Sequence, residues 1–233
     1  MKSLKKHLNY FSKGEYALWF CSVLSVICAF LLFDRGNTLT LIASVTGVTS
    51  LIFNAKGNPF GQALMIVFSL LYGVISFSFA YYGEMMTYLG MSMPMAIFAL
   101  ISWLRHPYKE NRSEVAVNHI SAKEVVCMWI LAAAVTVLFY FILKGFHTTN
   151  LLPSTLSVTT SFTAVYLTWK RSPYYALCYA ANDVVLIILW LLASLCDVSY
   201  LSVTICFMAF FVNDIYGFVS WKRMAIRQKE GER

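Results

Sequence analysis

Apolar stretches of roughly 20 residues, the length that carries a helix across the hydrocarbon core of a bilayer, follow one another along nearly the whole chain. Eight such runs stand out, at 16–33, 38–55, 60–81, 85–104, 124–144, 151–169, 173–195 and 198–221. Short polar turns separate them, and only 105–123 is a longer polar segment. The pattern predicts an all-α polytopic membrane protein of about eight transmembrane helices.

Composition narrows the class. The chain has 233 residues, 59% hydrophobic and only 12% charged, about half the charged fraction of a soluble domain. Mean hydropathy is +0.67. A core of this size cannot bury so many apolar side chains and remain soluble. Soluble enzymes, disordered chains and secreted disulfide scaffolds are excluded. Five of the six cysteines (Cys21, Cys28, Cys127, Cys178, Cys206) fall inside predicted spans, with Cys196 near a span end, and none forms a C-x-x-C pair. They read as small buried hydrophobes. Run 16–33 follows Lys2, Lys5, Lys6 and Lys13, as a signal peptide would. It is longer than a usual signal core and no A-x-A site follows it, so it is read as a retained helix.

Charge placement orients the bundle. With the N-terminus inside, the inner segments carry Lys2, Lys5, Lys6, Lys13, Lys56, Arg105, Lys109, Arg112, Lys123, Lys170, Arg171, Lys222, Arg223, Arg227, Lys229 and Arg233. The outer segments carry only Arg35 and Lys144. By the positive-inside rule both termini are expected in the cytoplasm. The formal net charge of +7 is then a topology signal that meets anionic lipid, and nucleic acid is not an expected partner.

The two halves repeat weakly. Asn58-Pro59-Phe60 parallels Ser172-Pro173-Tyr174; at the same offset Thr46 meets Thr160, Thr49 meets Thr163 and Lys56 meets Lys170. Ser102-Trp103-Leu104-Arg105 resembles Ser220-Trp221-Lys222-Arg223 at a slightly larger offset. Spans two to four thus repeat as spans six to eight. One intervening span restores the starting side, which makes the repeat parallel and places a substrate between the halves near the midplane. The expected organisation is an N-terminus with an extra helix (1–37), a first three-helix repeat (38–104), an inner loop with a linker helix (105–150), a second repeat (151–221) and a basic tail (222–233). Spans two and six are rich in hydroxyls, which suits close helix packing for most of them and pore lining for some.

Polar groups inside a membrane are costly and mark function by default. The acids well inside spans are Asp183 and Asp214, each preceded by asparagine: Asn182-Asp183 and Asn213-Asp214. An Asp at a helix centre costs roughly 2.5–3.5 kcal/mol on the insertion scale, so each must face protein, water or a partner. Tyr175, Tyr179, Asn182, Leu186 and Trp190 share one helical stripe. An amide between aromatic rings suits a flat, hydrogen-bonding ligand, with extra gain for a cationic ring. Trp190 reads as an interface anchor rather than a ligand contact. Asn213, Asp214, Tyr216, Gly217, Ser220 and Trp221 give a second polar and aromatic face, with Gly217 permitting close approach. Pro94, mid-span, predicts a kink that serves either as a hinge or as a static bend. No enzyme is expected: His7, His106, His119 and His147 fall outside the spans, and hydrolase and metal motifs are absent. No cofactor and no metal site is expected, nor is there a filter-like channel motif.

Tyr81-Tyr82-Gly83-Glu84, then Pro94-Met95 and Ser102-Trp103, followed by Lys170-Arg171, Asn182, Gly217 and Trp221, resemble the bacterial PnuC-type nicotinamide riboside transporters over roughly 38–223. The resemblance implies a SWEET-like, homotrimeric transporter that moves unphosphorylated nucleoside by facilitated diffusion across the bacterial cytoplasmic membrane. Intracellular phosphorylation would trap the cargo. It adds Glu84 to the site candidates, which are Asn182, Tyr179, Tyr175, Asp183, Asn213, Asp214, Tyr216, Trp221 and Glu84. Departures fall at Tyr175 or Cys178, where the family often has tryptophan, at Ala96, where it commonly has glutamine, and in the acidity of the Asn-Asp pairs. Relatives carry thiamine, riboflavin or deoxynucleosides, so these are alternative cargoes. A non-transporting membrane sensor or assembly subunit, using 105–123 and 222–233 as partner surfaces, is the alternative from another class.

Overall fold

The computed structural model describes residues 10–78, 82–148 and 150–231; Lys2, Lys5, Lys6, His7, Tyr81 and Arg233 lie outside them. Eight long helices run through the described residues: α1 Lys13–Phe33, α2 Thr38–Ala55, α3 Pro59–Ser78, α4 Tyr82–Arg105, α5 Ala122–Gly145, α6 Leu151–Trp169, α7 Tyr175–Ser194 and α8 Leu201–Glu230. Each coincides with one expected span, with ends that move by a few residues. The exception is α8, which continues well beyond 221: the basic segment 222–230 is a continuation of the last helix, not a separate tail.

The helices form a closed ring. In order around it stand α2, α3, α4, α6, α7 and α8, each packed on the next, and α8 returns to α2. α1 lies outside against α2 and α8; α5 lies outside against α6 and α4. Both outer helices start with the same device. Ser12 Oγ accepts from the Glu15 amide while the Glu15 carboxylate takes the Ser12 amide; Ser121 and Glu124 repeat this capping box. Each box glutamate then pairs with the lysine ending the next helix, Glu15 with Lys56 at 3.3 Å and Glu124 with Lys170 at 2.9 Å. α1 therefore bears the same relation to the first triplet as α5 bears to the second.

A set of exchanged hydrogen bonds joins the halves at the basic end. Trp221 Nε1 donates to the Asn54 carbonyl at 2.7 Å and Trp103 Nε1 to the Thr168 carbonyl at 2.9 Å. Ser220 Oγ donates to Ala55 O, and Ser102 Oγ to Trp169 O. Each Ser-Trp pair thus caps the first helix of the other triplet, supplying donors to carbonyls that a helix C-terminus leaves unsatisfied. Trp103 and Trp221 meet with ring centroids 5.3 Å apart.

Apolarity and burial run opposite to a soluble protein. α5 is the most apolar of the candidate spans and also the least buried; Trp129, Ile130, Leu138 and Phe141 point outward, as lipid-facing side chains do. Among the described residues, seven of the eight long helices are long and apolar enough to cross a membrane. α6 is the eighth, and its Ser and Thr residues lower its hydropathy. It is also deeply interior: Ser154, Ser157, Ser161, Thr163 and Thr168 are buried. Most of its hydroxyls return to backbone carbonyls of their own helix, as Ser157 to Ser154 and Thr168 to Ala164. That is packing, the role expected for most of them.

The polar segment 105–123 contains a small antiparallel hairpin, β1 Pro107–Tyr108 and β2 Asn111–Val115, which the sequence pattern did not predict. It is fastened to the end of α8. Gln228 accepts from the Val117 amide and donates to the Val115 carbonyl, and Arg227 pairs with Glu114 at 2.6 Å.

Candidate functional site

The six ring helices enclose a cavity in the middle of the bundle, and each contributes to its wall. Phe68 and Ser69 come from α3, Phe207 and Phe210 from α8, Leu51 from α2. α4 reaches it through an irregularity. Residues Tyr88–Ser92 form a π-helical turn immediately before Pro94. Proline supplies no N–H to the Gly90 carbonyl, and widening the preceding turn accommodates the gap without a sharp break. The wide turn presents Tyr88 and Ser92 to the cavity, a common use of π-bulges at functional sites. The expected Pro94 kink is thus a local widening of the helix.

From α7 come Tyr179, Asn182 and Asp183, and from α8 Asp214. Asn182 Oδ1 accepts from Thr160 Oγ1 at 2.8 Å and Ser161 Oγ at 3.0 Å. With its oxygen held by two hydroxyls of α6, the amide turns its NH2 toward the cavity. Asp183 and Asp214 are 2% and 4% exposed and line the same cavity from the neighbouring helices α7 and α8. No Lys, Arg or His of the described residues lines this cavity. Rings dominate the remainder: Tyr88 stands edge-on to Phe68, and Phe68 and Phe207 both meet Phe210. The free space is about 40 Å3, far below the ~300–1,000 Å3 of ordinary small-molecule sites. A space this small admits no nucleoside-sized molecule in this conformation.

The other candidates are placed elsewhere. Tyr175 donates to the Asn54 carbonyl at 3.2 Å and packs on Trp221, so both belong to the aromatic closure at the basic end. Asn213 faces α1, donating to Ser22 Oγ at 2.8 Å. Tyr216 also faces α1, donating to Glu15 Oε1 at 2.7 Å. Glu84, 3% exposed, lies near Tyr72 and Tyr88 rather than on the cavity wall, with neither carboxylate oxygen hydrogen-bonded to a described residue. Gly217 does not open a ligand approach: a Cβ there would touch Ala176 Cβ at an ordinary 3.5 Å. Trp190 packs between Tyr72 and Tyr200.

Sequence reasoning missed Phe68, Tyr88, Ser92, Phe207 and Phe210. Apolar aromatics in an apolar span carry no signal of their own, and the π turn that aims Tyr88 was visible only as Pro94. Gly47 was missed as well. A Cβ on it would overlap Phe210 Cζ and lie 3.0 Å from Phe68 Cδ2, so the missing side chain is what lets both rings stand against α2.

Residues 37–223 match the family model described as nicotinamide mononucleotide transporter. The nicotinamide riboside transporter PnuC of Neisseria mucosa is 25% identical over 218 residues, covering 91% of this chain and 82% of the relative. Among solved structures, a crystal structure described as the vitamin B3 transporter PnuC superposes with a TM-score of 0.77 at 21% identity, over 94% of each chain.

Proposed function

This chain belongs to the nicotinamide mononucleotide transporter family, a family of membrane transporters and not of enzymes, and from that premise we propose that its cargo is nicotinamide riboside. The observation that carries the choice is the charge of the cavity: two carboxyl groups and no basic side chain among the described residues that line it. A phosphomonoester brings about −1.5 to −2 charge at neutral pH and asks for Arg, Lys or an array of N–H donors. Against a carboxylate ~4 Å away, a unit negative charge is repelled by about 4 kcal/mol at an effective dielectric of 20. The pyridinium ring of the unphosphorylated riboside reverses that sign. It also gains from the faces of Tyr88, Phe68, Phe207 and Phe210, while the Asn182 NH2 is available to the carboxamide oxygen.

The same asymmetry supports facilitated diffusion with metabolic trapping. Phosphorylation inside the cell yields a product that an acidic cavity rejects. The exchanged Ser-Trp bonds and the duplicated Glu-Lys pairs support two parallel halves that part at the basic end. The lysines and arginines at that end support its placement, with both termini, in the cytoplasm of a bacterium. Resemblance to the PnuC-type transporters supports a homotrimer.

Labelled nicotinamide riboside offered to proteoliposomes should show saturable uptake, undiminished by excess nicotinamide mononucleotide. Absence of saturable uptake would sink the reading. Competition by the mononucleotide equal to that by the riboside would remove the charge argument. Thiamine, riboflavin and deoxynucleosides in the same assay rank the alternative cargoes.

A further inference from the structure

Asp183 and Asp214 form an arrangement that the cargo reading alone does not require. A single carboxylate would suit one pyridinium; here two buried carboxyl groups from neighbouring helices line one cavity of about 40 Å3. Two carboxyl groups that share one dry cavity with no compensating cation do not both ionise, so the pair holds at least one proton. No N–H or hydroxyl donor of the described residues reaches Asp183 Oδ2. Among the described residues no Lys, Arg or His pairs with either acid, in surroundings where a second uncompensated negative charge is expensive.

The groups facing the pair come from every element around it. On α7 these are Tyr179 and, one turn further, Tyr175; on α4, Tyr88; on α8, Cys206. Helices α2, α3 and α6 present Leu51, Phe68, Ser69 and Ser161. None of these is a fixed charge. Glu84, the other buried acid of α4, lies near Tyr72 and Tyr88. The charge of the cavity is therefore set by the protons on Asp183 and Asp214 themselves. With two protons the pair is neutral and offers a cation nothing; with one it is a monoanion matched to a single positive charge.

We propose that Asp183 and Asp214 act as one carboxyl pair that holds either a second proton or the cationic ring of the cargo, so that protons compete with the cargo for the cavity. The proposal rests on a cationic cargo. One proton stays with the pair throughout. The other leaves to water while the cavity is open, and the pyridinium takes its place as compensating charge. Carriage then remains downhill for the cargo, with an affinity set by pH on each side of the membrane.

The test uses the purified full-length protein with two probes: nicotinamide riboside and its uncharged isostere, in which a phenyl ring replaces pyridinium. Affinities are measured from about pH 5 to about pH 9. One-proton competition makes the riboside bind about tenfold more weakly per unit on the acid limb, while the isostere's affinity stays flat. Asp214→Asn leaves one titratable acid with a permanent amide neighbour, and should shift or flatten the acid limb; Asp183→Asn is the second variant should the first not remain monodisperse. A flat riboside profile overturns the competition and leaves the cargo assignment standing. An isostere profile as steep as the riboside's also overturns it, because the proton would then be acting on the protein's conformation. If the riboside binds at no pH, cargo assignment and competition fall together.

Discussion

Gly47 allows the packing of the cavity wall to be tested by adding one methyl group. A Cβ at this position would overlap Phe210 Cζ, and lie 3.1 Å from Phe210 Cε1 and 3.0 Å from Phe68 Cδ2. Phe210 is 4% exposed and fixed between Phe68 and Phe207. The ring lines the roughly 40 Å3 of free space and can yield into it. Gly47→Ala therefore carries an overpacking cost of about 1–3 kcal/mol. Replacing glycine within a helix returns about 0.5–1 kcal/mol, leaving a net loss of about 0–2.5 kcal/mol in stability. The effect on cargo should be larger than the effect on folding, because the displaced ring occupies the space the cargo needs. Gly217→Ala is the matched control: the same propensity gain, with Ala176 Cβ at 3.5 Å and no ring displaced. Thermal unfolding and riboside affinity measured on both variants give the comparison. Gly47→Ala should bind at least about tenfold more weakly, a loss of about 1.4 kcal/mol, and Gly217→Ala should bind like the parent. Equal affinities in the two variants would refute the assignment of Phe210 to the cargo wall.

Asn182→Leu should fold, since Thr160 keeps the Leu156 carbonyl as acceptor at 3.0 Å. Its riboside affinity should fall about 5- to 150-fold, the equivalent of about 1–3 kcal/mol for an unpaired polar group; unchanged affinity in a monodisperse preparation would remove α7's amide from the site. Trp103→Phe and Trp221→Phe each delete one exchanged bond while Thr168 and Asn54 retain other donors. Each should therefore cost about 1 kcal/mol of stability, and a marked inequality in thermal unfolding would contradict the equivalence of the two locks. Cysteines placed in 106–121 should resist an impermeant thiol reagent applied to intact cells, and labelling from outside would reverse the proposed orientation.

The repeat was legible in sequence through Ser102-Trp103 and Ser220-Trp221, yet its meaning was not. Nothing local says that each pair caps the other triplet, because that contact spans 65 residues in one case and 167 in the other. The equivalence of α1 and α5 left a readable signal, Ser12 with Glu15 and Ser121 with Glu124, since a capping box is a local pattern. The comparison of triplets alone passed over it. On α8, Asn213 and Asp214 are adjacent, so their side chains point about 100° apart on an α-helix. One faces α1 and the other the cavity. A soluble helix would have revealed which, through its polar face. A helix that is apolar all round carries no such stripe.

Alone, the sequence determined the number and limits of the spans, the family, and the rarity of charge inside the membrane. These rest on single-helix properties: apolar length, Ser-Glu spacing, and the cost of each buried acid. Tertiary structure decided which polar groups meet. Closing six helices into a ring brought Asn182, Asp183 and Asp214 to one cavity and sent Tyr175, Trp221, Asn213 and Tyr216 to helix contacts. It also turned the Pro94 irregularity into a means of aiming Tyr88 inward. In lipid, one apolar face is as well solvated as another. Inside and outside are therefore assigned by which helices pack together, which no single span encodes.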